Sequence, residues 1–164
     1  MDNCQDVDNL VKRCRDRDNA AFEELVDMYS GPCHAYFYRM TGNREVANDL
    51  LSQLFIKLVQ KIDTFKGGSL QKWIFTVASN IFYDYLRHCY RQKKLFEVKS
   101  ENLSEGVSAA SEMVDLRDEV QSCLQRLDDD TAELIVLRFY SQLSFKELAE
   151  MRSEPIGTTL SKVH

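Results

Sequence analysis

Apolar residues recur at helical spacing along almost the whole chain, and little is present to interrupt them: 6 Gly and 2 Pro in 164 residues. That pattern restricts the fold to packed helices. The clearest stretch is Val46, Leu50, Leu51, Leu54, Phe55, Leu58, Val59 and Ile62. It is an i, i+4, i+8 stripe with filled flanks, which predicts an amphipathic helix of about five turns. Asn43 is placed to cap it, and Gly42 to stop the helix before it. Trp73, Ile74, Val77, Ala78, Ile81, Phe82, Tyr85 and Leu86 form a second stripe. A helix from Ser69 to Lys94 would be about 39 Å long at about 1.5 Å per residue. Upstream, Val7–Arg15 and Ala20–Tyr29 read as shorter helices split by Asp16-Arg17-Asp18-Asn19. Pro32 suits the first turn of a third helix reaching to Met40. Residues 1–95 thus predict roughly five helices and no strand.

Residues 97–112 break the pattern. They are rich in Ser and Glu, have little apolar periodicity, and read as a flexible interdomain linker. A second unit starts near Met113, with Met113, Leu116, Val120, Cys123, Leu124 and Leu127 on one helix. Asp130-Thr131-Ala132-Glu133 resembles a capping box before Leu134, Ile135, Leu137 and Arg138. Ser144-Phe145-Lys146-Glu147 is a second capping box, before Leu148 and Met151. A turn at Arg152-Ser153-Glu154-Pro155 leads to a last helix from about Pro155 to the end. Two short helices joined by so tight a turn have helix-turn-helix spacing.

Charge is unevenly placed. The net charge is −5, yet residues 69–96 carry Lys72, Arg87, Arg91, Lys93 and Lys94 against Asp84 alone. Residues 113–164 carry six basic and ten acidic side chains. Before the long basic-ended helix lies a polar loop, Asp63-Thr64-Phe65-Lys66-Gly67-Gly68-Ser69. A pliant loop beside aromatic rings and clustered cations suits single-stranded or melted nucleic acid, because bases stack on rings while cations hold phosphates.

The second unit offers another nucleic-acid feature. Gly157, Thr158 and Thr159 open the last helix, where free N–H groups and hydroxyls allow close approach to phosphates. Thr158, Thr159, Ser161 and Lys162 are candidates for the major groove. An ordinary helical hairpin would have the same spacing.

Several functions are disfavoured. No apolar run approaches the roughly 20 residues needed to span a bilayer, and the N-terminus lacks the basic and apolar regions of a signal peptide. A cytoplasmic protein without membrane insertion is expected. Cys4, Cys14, Cys33, Cys89 and Cys123 are scattered, with no C-x-x-C pair, so reduced thiols are expected rather than a disulfide framework. Cys33-His34 and His88-Cys89 are adjacent pairs that point in different directions on a helix, and no metal site or other cofactor is expected from them. There is no P-loop, dinucleotide fingerprint, zincin or nucleophile-elbow motif, so an enzyme is not expected.

Three segments together resemble the extracytoplasmic-function type of RNA polymerase sigma factor, in the sigma-70 family. The first is Ala21-Phe22-Glu23-Glu24-Leu25-Val26 followed by Gly42-Asn43-Arg44-Glu45-Val46-Ala47-Asn48-Asp49-Leu50. The second is Asp63-Thr64-Phe65-Lys66-Gly67 with Trp73-Ile74-Phe75-Thr76-Val77-Ala78-Ser79-Asn80 and Asp84-Tyr85-Leu86-Arg87. The third is Leu137-Arg138-Phe139-Tyr140 with Leu143-Ser144-Phe145-Lys146-Glu147-Leu148-Ala149-Glu150, then Pro155-Ile156-Gly157-Thr158 and Ser161-Lys162-Val163-His164. With the spacers, the likeness covers nearly the whole chain.

The resemblance implies an all-α fold of two domains. Residues 1–96 would be a sigma-2-like helical bundle, 97–112 the linker, and 113–164 a sigma-4-like helix-turn-helix domain. It implies core RNA polymerase and promoter DNA as partners, and an anti-sigma factor or other regulator. Asp49, Leu50, Gln53, Leu54 and Lys57 match the family's polymerase-docking helix, although Leu50 and Leu54 equally suit a core. Phe65, Lys66, Gly67, Gly68, Ser69, Asn80, Tyr83, Arg87, Arg91, Lys93 and Lys94 match its minus-10 surface. There a flipped base needs polar partners and an apolar wall, which Asn80 and Phe65 could supply. Ser144, Thr158, Thr159, Ser161 and Lys162 match its minus-35 surface.

The chain also departs from the family. Ser153 stands where a glycine usually turns the corner, so a different turn is expected. Leu160 stands where a cation is common. The family's basic run beyond the last helix has no counterpart, which implies a last domain cut short or weak minus-35 reading. Two other readings stay open: a helix-turn-helix regulator that acts without polymerase, and a helical adaptor.

Overall fold

The computed structural model describes residues 4–99 and 116–163. These residues form α1 (Cys4–Arg15), α2 (Asn19–Thr41), α3 (Arg44–Lys61), a 3-10 turn (Ile62–Thr64), α4 (Leu70–Lys99), α5 (Leu116–Leu124), α6 (Asp129–Phe139), α7 (Phe145–Arg152) and α8 (Ile156–Val163). No strand occurs among them. Nor is any helix among them long and apolar enough to cross a membrane.

α2 corrects the expected break at Pro32. It is one helix of 23 residues with Pro32 inside it, not two helices meeting there. Its buried positions are Ala21, Leu25, Tyr29, Cys33, Tyr36 and Phe37. They hold one phase across the proline. An interior proline costs about 3 kcal/mol. Burial of each large apolar side chain contributes roughly 1.5–3 kcal/mol, and several lie on either side of Pro32, so packing wins. Burial also pushes the Cys33 thiol up to about 12, which leaves it protonated and inert.

The joint between α2 and α3 forms as the local residues dictate. Gly42 takes φ 67 and donates its N–H to the Tyr38 carbonyl, and the Asn43 side chain accepts from the N–H groups of Glu45 and Val46. α3 buries Ala47, Leu50, Leu54 and Leu58. α4 buries Leu70, Ile74, Phe75, Val77, Ala78, Ile81 and Phe82. Tyr36 sits among rings, edge-on to Phe37, Phe75 and Phe82 with centroids 5.2, 5.8 and 6.4 Å away. Such pairs add roughly 0.5–1.5 kcal/mol each beyond burial. α4 runs to Lys99, past the expected end at Lys94 and the expected domain boundary after residue 96. Residues 100–112 of the expected linker, and Met113, lie outside the described residues.

In the second unit, the cap of α6 also differs from the expectation. Asp128, not Asp130, is the N-cap, and its side chain accepts from the Thr131 N–H. Of three consecutive aspartates, the first one is two residues early enough to leave Asp130 and Glu133 pointing elsewhere. The box at Ser144 forms as expected, with both reciprocal bonds to Glu147 present. The corner between α7 and α8 does not differ in backbone from a glycine corner. Ser153 itself adopts φ 53, and its N–H reaches the Ala149 and Glu150 carbonyls. The strain is accepted because those bonds close the end of α7. Ser153→Gly is therefore expected to stabilise the chain by about 0.5–1 kcal/mol, read as a higher urea midpoint with unchanged slope.

Both units share one core. Leu124, Ala132, Leu134, Val136, Leu137, Leu143 and Leu148 belong to the same buried cluster as the side chains of α1 to α4. α6 and α7 pack on α2 and α4.

Candidate nucleic-acid interface

The loop before α4 is built to be pliant at one point and fixed at another. Gly67 and Gly68 have φ 94 and 88, which L side chains rarely adopt, and both face open space. Phe65 is not an open wall: it is buried, edge-on to Trp73 at 5.6 Å between centroids. Its carbonyl accepts from the Arg15 guanidinium. Beside it, Asp8, Val11, Arg15, Phe65, Lys66 and Gly67 line a hollow of about 330 Å³. Lys66 is exposed, and the Ser69 hydroxyl accepts from the Lys72 N–H at 3.1 Å, capping α4.

Along α4 the expected DNA residues divide into two groups. Arg87, Arg91, Lys93 and Lys94 are exposed on its outer turns. Arg87 is paired with Asp84, which also lies 3.8 Å from Lys57 Nζ. The Arg87 guanidinium, through its hydrogen bond, holds the Asp84 carboxyl below the usual carboxylate range. Asn80 and Tyr83 lie elsewhere on α4. They line a cleft of about 580 Å³ whose other wall includes Asp128, Asp129, Asp130, Glu133, Arg152, Glu154 and Lys162.

At the back of this cleft is a residue that the sequence reading missed. Glu133 is only 2% exposed. It accepts from Tyr36 Oη at 2.6 Å, Tyr83 Oη at 3.1 Å and the Arg152 guanidinium at 2.8 Å. Burial first, and then the Glu133 charge, push the Tyr36 and Tyr83 hydroxyls above the ordinary phenol range. Both therefore stay protonated as donors. The signal available was a glutamate inside the apolar run of α6; reading it as a capping partner concealed it.

Two expected groups need correction in part. On α3, Leu50 and Leu54 are core and Lys57 is half-buried, while Asp49 and Gln53 are exposed on one face. Ile56 continues that face at 59% exposure and had not been singled out. On α8, Thr158 and Ser161 are exposed. Thr159 is fully buried and donates to Glu154 Oε1 at 2.7 Å, so it faces the second unit's interior and not a groove. Lys162 is held by Asp130 at 3.0 Å and Glu154 at 2.9 Å. The Ser144 hydroxyl is engaged with Glu147. Among the described residues no three His, Cys, Asp or Glu side chains gather as metal ligands.

Residues 25–92 match the Sigma-70 region 2 family. They comprise most of α2, all of α3, the glycine loop and most of α4. The chain is 27% identical to the ECF RNA polymerase sigma factor SigW of Bacillus subtilis (strain 168), across 96% of this chain and 91% of that protein. Among solved structures, it matches the sigma factor RpoE of Bartonella quintana, in complex with the anti-sigma factor NepR. The TM-score is 0.68 at 26% identity, across 87% of this chain and 89% of that one. It shares a fold with CnrH, solved with the cytosolic domain of CnrY: TM-score 0.70, 17% identity, 94% of this chain and 87% of that one.

Proposed function

We infer that this chain is an RNA polymerase sigma factor of the sigma-70 family, of the extracytoplasmic-function type. It binds core RNA polymerase and directs promoter-specific initiation. The observation that carries this reading is the region 2 match, which falls on the helices that hold the glycine loop and the basic end of α4. It performs no bond-making step itself. It acts in the cytoplasm, where polymerase works, and it is regulated by a protein partner, as the Bartonella quintana relative is bound by an anti-sigma factor.

Each part of the mechanism follows from side-chain chemistry. Asp49, Gln53 and Ile56 present a mixed polar and apolar face on α3 for the polymerase. The loop at Lys66, Gly67, Gly68 and Ser69 and the polar edge of Asn80 receive an unstacked minus-10 base, and Arg87, Arg91, Lys93 and Lys94 hold the strand's phosphates. Thr158, in the first turn of α8, and Ser161, in its last, approach the minus-35 duplex.

Run-off transcription with purified core polymerase tests the reading. Promoter-dependent initiation is expected; DNA binding without initiation would instead mark a regulator, and neither would mark an adaptor. A narrower test neutralises the basic end. With Arg91, Lys93 and Lys94 changed to Gln, the logarithmic salt slope of binding to opened promoter should fall by about 2, since each single-strand phosphate contact contributes about 0.7. An unaltered slope would mean these cations touch no phosphate.

A further inference from the structure

α1 lies outside the residues that match region 2, yet its C-terminal end holds the glycine loop. Arg15, the last residue of α1, donates from its guanidinium to the Phe65 carbonyl, 50 positions away. Phe65 is also fixed in two other ways. Its N–H donates to the Ile62 carbonyl at 3.2 Å, and its ring is buried edge-on to Trp73. Just past α1, the Arg17 guanidinium donates to the Val59 carbonyl at 3.3 Å and stands 3.9 Å from an Asp63 carboxylate oxygen. The turn after α1 therefore grips both the last turn of α3 and the start of the loop.

The backbone of that turn carries strain. Arg17 adopts φ 62, a left-handed conformation that glycine or asparagine takes more readily. Its N–H reaches the Cys14 carbonyl and the Asp18 N–H reaches the Arg13 carbonyl, each at 3.1 Å, so the turn closes α1 as a glycine would. A glycine would lack the guanidinium that reaches α3. Beyond Phe65 the loop has no such hold. Among the described residues no hydrogen bond reaches Lys66, Gly67 or Gly68, and the next fixed point is the Ser69 cap of α4. Beside them is the hollow of about 330 Å³, walled by Asp8, Val11 and Arg15 of α1. The Phe65 carbonyl belongs to the planar peptide unit that leads into Lys66. The bond from Arg15 therefore sets the direction in which the unheld part of the loop departs.

We propose that Arg15 is a positioning residue of the minus-10 loop: by fixing the Phe65–Lys66 peptide plane it aims Lys66, Gly67 and Gly68 at the unstacked base, which makes α1 a working part of promoter opening. The proposal rests on the assignment of this loop to the minus-10 base. A loop already aimed loses less conformational freedom when it captures the base. Removing the bond should therefore reduce strand opening and leave the binding of closed duplex as it was.

The test compares the full chain carrying Arg15→Ala with the unmodified chain and with Lys12→Ala, which removes the same charge from another exposed position of α1. Nitrogen-15 relaxation of the free chain gives the backbone order parameters of Lys66, Gly67 and Gly68. With core polymerase at saturation, 2-aminopurine placed in the minus-10 element of a promoter that supports run-off initiation reads strand opening. Anisotropy across a salt titration reads the affinity for closed duplex.

Lower order parameters in the loop and an opening equilibrium roughly tenfold less favourable, as for a lost bond to a charged group, are expected of Arg15→Ala alone, with duplex affinity and salt slope unchanged. Unchanged order parameters, unchanged opening, or the same losses in Lys12→Ala each overturn the proposal. A logarithmic salt slope lower by about 0.9 would make Arg15 a phosphate contact and overturn it too. If circular dichroism shows Arg15→Ala unfolded, Arg15→Met, which keeps most of the apolar stem, replaces it with the same expectations. Run-off transcription by the unmodified chain is scored separately. Initiation that Arg15→Ala leaves intact removes the positioning role alone. No initiation removes the sigma reading and with it the role in opening, while the order parameters still report the tether.

Discussion

Leu54→Ala is expected to cost about 2–5 kcal/mol of stability while leaving the polymerase affinity of folded molecules unchanged. Ile56→Asp is expected to do the reverse. The two residues are two apart on α3, and the helix turns them to different sides. Leu54 is fully buried in line with Leu50 and Leu58, so its loss leaves a cavity that the surrounding helices cannot fill. Ile56 is 59% exposed on the face of Asp49 and Gln53, so an aspartate there disturbs no packing within the chain. If that face meets polymerase, a charge in place of its large apolar side chain should weaken binding by roughly tenfold or more. Urea denaturation gives the first quantity. Titration of labelled chain with core polymerase, at a temperature where both variants are folded, gives the second. Wild-type affinity in Ile56→Asp would remove α3's outer face from the contact. Weakened affinity in fully folded Leu54→Ala would mean that the leucine acts beyond the core.

This contrast shows what the sequence could and could not disclose. Caps are local devices, and three were legible: Gly42, Asn43 and the box at Ser144 depend on residues within a few positions of one another; the α6 cap fell on Asp128 rather than Asp130, and the Ser153 corner kept the backbone of a glycine turn. The stripes of α3 and α4 were legible for the same reason, since 3.6-residue periodicity is written along the chain. Pro32 misled because its local effect is unfavourable and is outweighed by ring packing between α2 and α4, which no window of sequence displays. Leu50 and Leu54 carried two roles until burial decided between them. Glu133 was hidden most deeply. Its tyrosine partners are 97 and 50 positions away, and an acid in an apolar run has no local signature of the donors that will meet it. The candidate α4 surface could thus be named from its own cations and loop, but not the Tyr83–Glu133 bond at its edge, which depends on a second unit packing beside it.

Arg152→Ala should expose how much the fold depends on that hidden carboxylate. Arg152 is 14% exposed and bonds both Glu133, at 2% exposure, and Asp130. Removing it strands Glu133 with two tyrosine donors and no cation. Breaking one partner of a buried ion pair costs about 3–5 kcal/mol. The Asp130 arm is half exposed and adds little, so the low end, about 3 kcal/mol, is expected. Adding Glu133→Gln to Arg152→Ala should recover much of the loss, because a neutral amide needs no counter-charge; a merely steric role for the arginine would show no such rescue. The acid limb of stability gives a second readout. Burial pushes the Asp130 carboxyl up, but Lys162 and then Arg152 more than offset it, leaving it below the usual range. Native Asp130 therefore binds fewer protons than the unfolded chain in acid. Its stabilisation is present above the unfolded value of about 3.9 and is lost as pH falls through the folded one. Arg152→Ala should flatten that acid slope relative to wild type, measured as urea stability from about pH 5 downward. An unchanged slope together with failed rescue would show that the guanidinium holds the cleft by packing alone.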